Sequence, residues 1–168
     1  MVAEYFKKAE HPTVNRKIID ALTEHLGDLK GKRILDIGCG NGDLLAQLEH
    51  EGGAHGYGID ARWENVTAAR KRGLKRVFKG DAENLEKYIP GRVKFDAVVS
   101  SFFLDRRLIR SSKVERVLKT ALAFTRPGGV HVHAALEPEA AQKALSRAGF
   151  SVLKKGRAII VAKKPPAA

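Results

Sequence analysis

Cysteine is almost absent from this chain of 168 residues, which holds only Cys39. A single thiol cannot close an internal disulfide, so the sequence fits a reducing compartment and a cytoplasmic protein is expected. No cysteine and histidine cluster stands at ligand spacing, so no metal site is expected. No apolar run approaches membrane-spanning length, and the N-terminus lacks a signal-peptide pattern, so no membrane partner is expected. Repeats, linkers and low-complexity stretches are missing as well. Acids are scarce beside bases, 19 against 31, for a formal charge of +12. That excess favours anionic partners, nucleic acid first among them, and it also fits a soluble, thermophilic surface.

The length suits one domain able to bury roughly 70% of its unfolded surface. Residues 13–164 are expected to form it, between a flexible segment at 1–12 and a frayed tail at 165–168. The chain is organised around Arg33 to Asp43, Arg-Ile-Leu-Asp-Ile-Gly-Cys-Gly-Asn-Gly-Asp. Ile34, Leu35 and Ile37 make a strand-length apolar run around one acid, Asp36. Gly38, Gly40 and Gly42 follow at alternate positions, and then Leu44, Leu45 and Leu48 at helical spacing. Strand, glycine turn and helix succeed one another. Such a turn lets a ligand lie against bare backbone and ends at a helix N-terminus, whose free N–H groups suit an anionic group. Cys39 reads as a small packing residue rather than a nucleophile.

Either side of this unit the pattern alternates. Val14, Ile18, Ile19, Leu22 and Leu26 mark a first helix ending near Gly27. His55 to Asp60 reads as a strand ending in an acid, Trp63 to Lys71 as a helix, and Lys75 to Lys79 as a strand closing on Gly80-Asp81-Ala82. Glu83 to Ile89 is a short helix. Phe95 to Phe103 should be a central strand, followed by a basic loop at Leu104 to Ser112. The stripe Val114, Val117, Leu118, Ala121 and Leu122 is a helix stopped by Arg126-Pro127-Gly128-Gly129. Val130 to Leu136 is a fifth strand and Pro138 to Ala148 a helix. Ser151 to Lys154 and Ala158 to Lys163 are two last strands around a tight turn. Alternation implies a parallel sheet covered on both faces, and the short final turn forces the seventh strand antiparallel to the sixth. The fold class is therefore α/β: a doubly wound, mostly parallel seven-stranded sheet with an antiparallel seventh strand.

A dinucleotide fingerprint would set its third glycine three positions after its second, and here the step from Gly40 to Gly42 is two. Asp36-x-Gly38-x-Gly40-x-Gly42 instead resembles motif I of the class I S-adenosylmethionine-dependent methyltransferases, and the seven-stranded order resembles their Rossmann-like fold over residues 13–164. The resemblance implies S-adenosylmethionine as cofactor and S-adenosylhomocysteine as product. It also implies site residues. Gly38, Cys39 and Gly40 would contact the methionine moiety through their backbone, and Asp36 would help fix its amino group. Asp60, eighteen residues after Gly42, matches the ribose-binding acid, with Ala61 beside it. Asp81 and Ala82 match the pair that reads the adenine amino group. Ser100 stands where a backbone carbonyl commonly meets the methionine amino group.

Acceptor residues should follow the fourth strand. The Pro-Pro-aromatic signature of enzymes acting on exocyclic base amines is missing, as is the Pro-Cys nucleophile of cytosine-5 enzymes. Asp105 is the candidate base, or simply a partner of Arg106 or Arg107. Phe102 and Phe103 could flank a planar acceptor, although strand alternation sends one of them into the core. His131 and His133 share a face of the fifth strand and read as packed residues. Arg106, Arg107, Arg110, Lys154, Lys155 and Arg157, with Lys7 and Lys8, fall on the cofactor edge. Arg70, Lys71, Arg72, Lys75 and Arg76 fall on the opposite one. A basic rim suggests an anionic acceptor, with RNA as first reading and a small acidic metabolite as second. Minimal insertions leave the site open to a large substrate, or to completion by a partner subunit or a second copy in a homodimer. The non-catalytic alternative is a cofactor-binding subunit or sensor.

Overall fold

The structure, a computed structural model, describes residues 11–104 and 110–166. Its elements in order are α1 (His11–Leu26), β1 (Arg33–Ile37), α2 (Asp43–His50), β2 (His55–Asp60), α3 (Trp63–Lys71), β3 (Val77–Lys79) and a 3₁₀ segment (Ala82–Lys87). Then come β4 (Phe95–Ser101), α4 (Ser111–Phe124), β5 (Thr125–Ala134), α5 (Pro138–Arg147), β6 (Ser151–Lys155) and β7 (Ile159–Lys163). The strands form one sheet of 7, in the order β3-β2-β1-β4-β5-β7-β6. All neighbours are parallel except β7, which runs antiparallel to both β5 and β6. Strand order reverses between β1 and β4, and a crevice opens there at the carboxyl ends of the strands.

Alternation in the strands divides the core. Ile34 of β1, Ala97 and Val99 of β4 and Val130, Val132 and Ala134 of β5 meet Ile18 and Leu22 of α1 and Leu44 and Leu48 of α2. On the other face Leu35, Ile37 and Val98 pack against Leu85, Val117 and Ala121. Each fully buried aliphatic side chain of this kind contributes about 1.5–3 kcal/mol relative to exposure. The central strands are apolar on both faces because both faces are covered.

Element ends shift by a residue or two throughout, and four departures bear on the architecture. β3 is shorter, starting at Val77 rather than Lys75. The short helix is 3₁₀ and kinked at Asn84. β5 starts at Thr125, because the chain already pairs with Phe95 before a bulge passes the Pro-Gly-Gly stretch. β4 stops at Ser101 because Phe102 takes φ 64. The left-handed region is costly for a bulky residue and is held only where the surroundings over-determine it.

Candidate functional site

A cleft of about 390 Å³ lies where the sequence reading places a ligand, at the carboxyl ends of β1, β2 and β3. Gly38 and Phe103 line it, along with Asp60 at the end of β2 and Ala61 after it, Gly80, Asp81 and Ala82 after β3, Arg110 at the N-cap of α4 and Ser112, Lys113 and Arg116 within α4.

The glycine turn is tied down from within. Gly38, Gly40 and Gly42 all have positive φ, 72, 55 and 80°. Gly42 has a second reason to be glycine, because a Cβ there would stand 2.4 Å from Leu74 and 3.0 Å from Ala69. It lets α3 and Leu74 close on the start of α2. The amides of Gly38 and Cys39 donate to the Ile59 carbonyl at 2.8 and 3.2 Å. The Gly40 amide donates to Asp60 Oδ2 at 2.9 Å. Hence these three residues can meet a ligand through their carbonyls and bare surface, not through amide donors. Asp60 Oδ1 also accepts from the Arg62 amide at 2.8 Å and from Asn65 Nδ2 at 3.1 Å. One carboxylate thus fixes both the glycine turn and the entry to α3, and lone-pair capacity remains on Oδ2. The Cys39 thiol is buried, and burial, then the charges of Asp36 and Asp60, push its pKa well up, so it is no nucleophile.

Asp36 is the anomaly of the site. Its carboxyl is buried, and Oδ1 finds no hydrogen-bond partner among the described residues. Burial first, and the Asp60 carboxylate second, push its pKa up to about 7. A buried carboxyl without a partner is costly unless a cation or donor meets it. It lies on the α1 face of the sheet, as does Ser101 of β4, whose Oγ is also buried and unpartnered among the described residues.

At the other end of the cleft each oxygen of Asp81 already has one partner. Its Oδ1 accepts from the Glu83 amide at 3.0 Å, capping the 3₁₀ segment, and Lys113 Nζ lies 2.5 Å from Oδ2. Burial acts to raise its pKa, but hydrogen bonds from Lys113 and the Glu83 amide, with the charges of Lys113 and Arg116, outweigh that and hold it below the ordinary value. Arg116 pairs in turn with Glu83 at 2.7 Å. Sequence reasoning missed Lys113 and Arg116, which lie 32 and 33 residues from their partners. Helical spacing from Arg110 was the only signal for them.

The exit of β4 sorts the two phenylalanines. Phe102 is buried and its amide donates to the Ala134 carbonyl at 2.8 Å, while Phe103 stands over Gly38 and lines the cleft. Ser100 is fully buried, and its Oγ meets His133 Nδ1 at 2.8 Å. His133 Nε2 lies 3.3 Å from His131 Nδ1, His131 Nε2 lies 2.8 Å from Thr125 Oγ1, and Thr125 Oγ1 donates to the Ala121 carbonyl at 2.7 Å. A polar chain therefore runs inside the protein from the carboxyl end of β4 to the start of β5. Burial pushes the His133 pKa down to about 3; burial, then His133 and Lys164, push that of His131 well down.

Asp105, Arg106 and Arg107, like Lys7 and Lys8, lie outside the described residues. Arg110 and Arg157 are exposed and make no ion pair with a described residue. Lys155 is paired with Glu139 and Lys154 with Glu24, both at 3.3 Å, so part of the hairpin charge is already answered. In the cluster assigned to the opposite edge, Arg70 donates to the Val77 carbonyl and Arg76 pairs with Glu49 at 2.7 Å. Arg70 and Arg72 depart from that assignment: the Arg70 guanidinium stands 5.7 Å from the centroid of the Trp63 ring at the start of α3, and Arg72 reaches Asp43, in the first turn of α2, at 2.8 Å. Lys71 and Lys75 are exposed.

Fold, glycine turn and acid-lined cleft define a nucleotide-cofactor α/β protein, and residues 34–129 match the family model described as a methyltransferase domain. The chain belongs to that family, the class I S-adenosylmethionine-dependent methyltransferases, whose cofactor is S-adenosylmethionine. It is 33% identical over 115 residues to ribosomal RNA small subunit methyltransferase C of Chromohalobacter salexigens, covering 68% of this chain and 34% of that one. It is also 33% identical over 113 residues to a ubiquinone biosynthesis O-methyltransferase of Bordetella bronchiseptica, covering 64% of this chain and 44% of that one. The chain thus spans less than half the length of these relatives. Among solved structures, the fold matches that of S-adenosylmethionine-bound CalS10, an amino pentose methyltransferase of Micromonospora echinaspora. The TM-score is 0.74 at 18% identity, over 97% of this chain and 95% of the other. Among the described residues no helix is long and apolar enough to cross a membrane.

Proposed function

We propose that this chain transfers the methyl group of S-adenosylmethionine to an anionic acceptor, and that the acceptor is RNA. The observation that carries the cofactor half is Asp36, a buried carboxyl with an orphaned oxygen beside the glycine turn. A cationic amino group is the partner such a carboxyl needs. Asp60 would hold the ribose with its remaining lone pairs, Ala61 and Ala82 would border the adenosine, and Asp81 would share its carboxylate between Lys113 and the adenine amino group. Gly38, Cys39 and Gly40 would floor the methionine portion, and the backbone at Ser100 would close it. The bound cofactor supplies an electrophilic methyl, and in-line displacement needs alignment above all, which can supply ~7–11 kcal/mol. Phe103 flanks the acceptor, and Asp105 takes its proton where the acceptor must lose one.

The acceptor half rests on cations along the carboxyl edge: Arg110 in the cleft, Lys113 and Arg116 beside it in their pairs with Asp81 and Glu83, and Arg157 on the hairpin at the far end of the same edge. The rRNA methyltransferase among the relatives supports the same direction. The test is transfer of labelled methyl from donor to RNA, protein and small-molecule acceptors. RNA labelling is the expected result. Labelling of small acids alone would replace RNA with a metabolite, and cofactor binding without any transfer would leave a non-catalytic subunit. In a filter-binding salt titration, neutralising Arg106, Arg107, Arg110, Lys155 and Arg157 should lower the log–log salt slope by about one unit per lost phosphate contact. Neutralising Lys71 and Lys75 should change it far less.

Asp60→Asn should weaken cofactor binding about ten- to a hundredfold, as expected for a lost charged hydrogen bond of ~1.5–3 kcal/mol. Because the amide cannot accept at every position the carboxylate does, the cofactor-free variant should also lose about 1 kcal/mol of stability. Calorimetric titration and thermal melts separate the two effects. Unchanged affinity in a folded variant removes Asp60 from the ribose site.

A further inference from the structure

Outside the cleft, one exposed aromatic residue stands among cations. Trp63, the single tryptophan of the chain, opens α3 three residues after Asp60 and is 57% exposed. The same helix buries Val66 and Ala69, so α3 has an apolar face and Trp63 is left largely off it. Its ring is not bare on every side. The Arg70 guanidinium sits 5.7 Å from the ring centroid and is itself held by two hydrogen bonds to the Val77 carbonyl, at 3.2 and 2.8 Å. A cation fixed in this way braces the indole and raises the positive potential beside it. Arg62, immediately before the helix, has a side chain 74% exposed and only a 4.0 Å contact with Glu64. Lys79, exposed at the end of β3, is the register partner of Asp60 on the neighbouring strand. The patch therefore lies at the carboxyl edge of the sheet, beside the cleft rather than in it.

From these placements we infer that Trp63, with Arg62, Arg70 and Lys79, forms a stacking post for an unpaired base of single-stranded nucleic acid. This rests on the RNA reading above and extends it across the cleft, from the cations of α4 to the opposite lip. Large exposed aromatics interleaved with cations suit this partner, because every base has a π-face and every linkage a phosphate. The indole takes the base while Arg62 and Lys79 take the flanking phosphates. A folded protein ligand would find no broad apolar surface here, since the only other large hydrophobic side chains exposed among the described residues are Leu136, just after β5, and Leu153, in β6, toward the other side of the sheet.

Trp63 is its own reporter. Titrating the wild-type protein with a single-stranded oligouridylate of about ten nucleotides, within the range of single-strand site sizes, should quench tryptophan fluorescence. Heparin, an anion without bases, should bind without comparable quenching. Trp63→Ala should weaken oligouridylate binding in a filter assay by about ten- to a hundredfold, and Trp63→Phe by less, the magnitude of one lost base stack. Circular dichroism and cofactor titration check that the variants fold. Salt-dependent RNA binding that survives Trp63→Ala undiminished would overturn the stacking post and leave the RNA reading standing. No RNA binding by the wild type would remove that reading and the post together. Quenching by S-adenosylhomocysteine alone would assign Trp63 to the cofactor, and equal quenching by duplex RNA would overturn the unpaired base.

Discussion

Replacing Asp36 with asparagine is expected to stabilise the cofactor-free protein at pH 8 while costing it most of its affinity for S-adenosylmethionine. The Asp36 pKa rises from 3.8 to about 7 on folding, through burial and then the Asp60 charge. A folded value above the unfolded one means the native state holds the extra proton between those limits. Stability from this group therefore falls as pH rises from about 4 to about 7, and the full cost is present above 7. Three units correspond to on the order of 4 kcal/mol. Asparagine removes that cost but buries an amide short of partners, which returns ~1–3 kcal/mol. The net gain should be about 1–3 kcal/mol, or several degrees in melting temperature for a chain of this size. On the proposed role, the cofactor's amino group meets this carboxylate, so losing the charge should weaken binding about ten- to a hundredfold. Wild-type affinity should also fall as pH drops below 7, because binding must then expel the Asp36 proton. Thermal melts and calorimetric titrations from pH 6 to 8 read all three effects. A variant no more stable and no weaker in binding would show that the carboxyl faces neither the penalty nor the cofactor.

The second large effect is acid sensitivity. His131 and His133 are neutral in the fold, with pKa values well below the usual 6.5 and, for His133, at about 3. The unfolded chain takes up two protons below pH 6.5 that the native state refuses, so stability falls with pH across that window. Each histidine contributes about 1.4 kcal/mol per pH unit. Asp36 opposes them between about pH 4 and 7, leaving a net slope near that of one histidine. In Asp36→Asn the opposition is gone, so the acid limb should steepen to about 2.7 kcal/mol per unit, twice a single histidine's share. Denaturant melts of both proteins at pH 4.5, 5.5 and 6.5 provide the check. Parallel slopes would mean that Asp36 does not titrate in this range.

The parts legible in the sequence are those whose signals are local. Arg33 to Asp43 could be read because a strand run, three alternate glycines and a leucine stripe adjoin, and Asp60 and Asp81 because one ends β2 and the other follows β3 by two residues. The mostly parallel sheet followed from strand–helix alternation and the antiparallel β7 from a turn too short for a crossover, whereas the order of the strands came only with the structure. What stayed hidden depends on register between distant segments. Ser100 meets His133 only because β4 and β5 align those residues. Lys113 reaches Asp81 only because α4 packs on the 3₁₀ segment. Phe102 reads as one more strand residue, and its left-handed backbone, which turns Phe103 over Gly38, has no signature in a bulky aromatic. The split of roles between the two phenylalanines was foreseeable from alternation, but which residue went where was not.

The polar chain through β4 and β5 also has a sense of direction. A carbonyl can only accept, so the Thr125 hydroxyl spends its proton on Ala121 and must receive from His131 Nε2. A neutral His131 then has a bare Nδ1, which takes the Nε2 proton of His133, whose own Nδ1 takes the hydroxyl proton of Ser100. Every member points the same way, and both imidazoles are locked as the Nε2–H tautomer. A proton entering at Ser100 would meet a one-way street ending at a peptide carbonyl that cannot pass it on. The chain is thus an insulator rather than a wire. No relay through these four residues carries charge across the sheet.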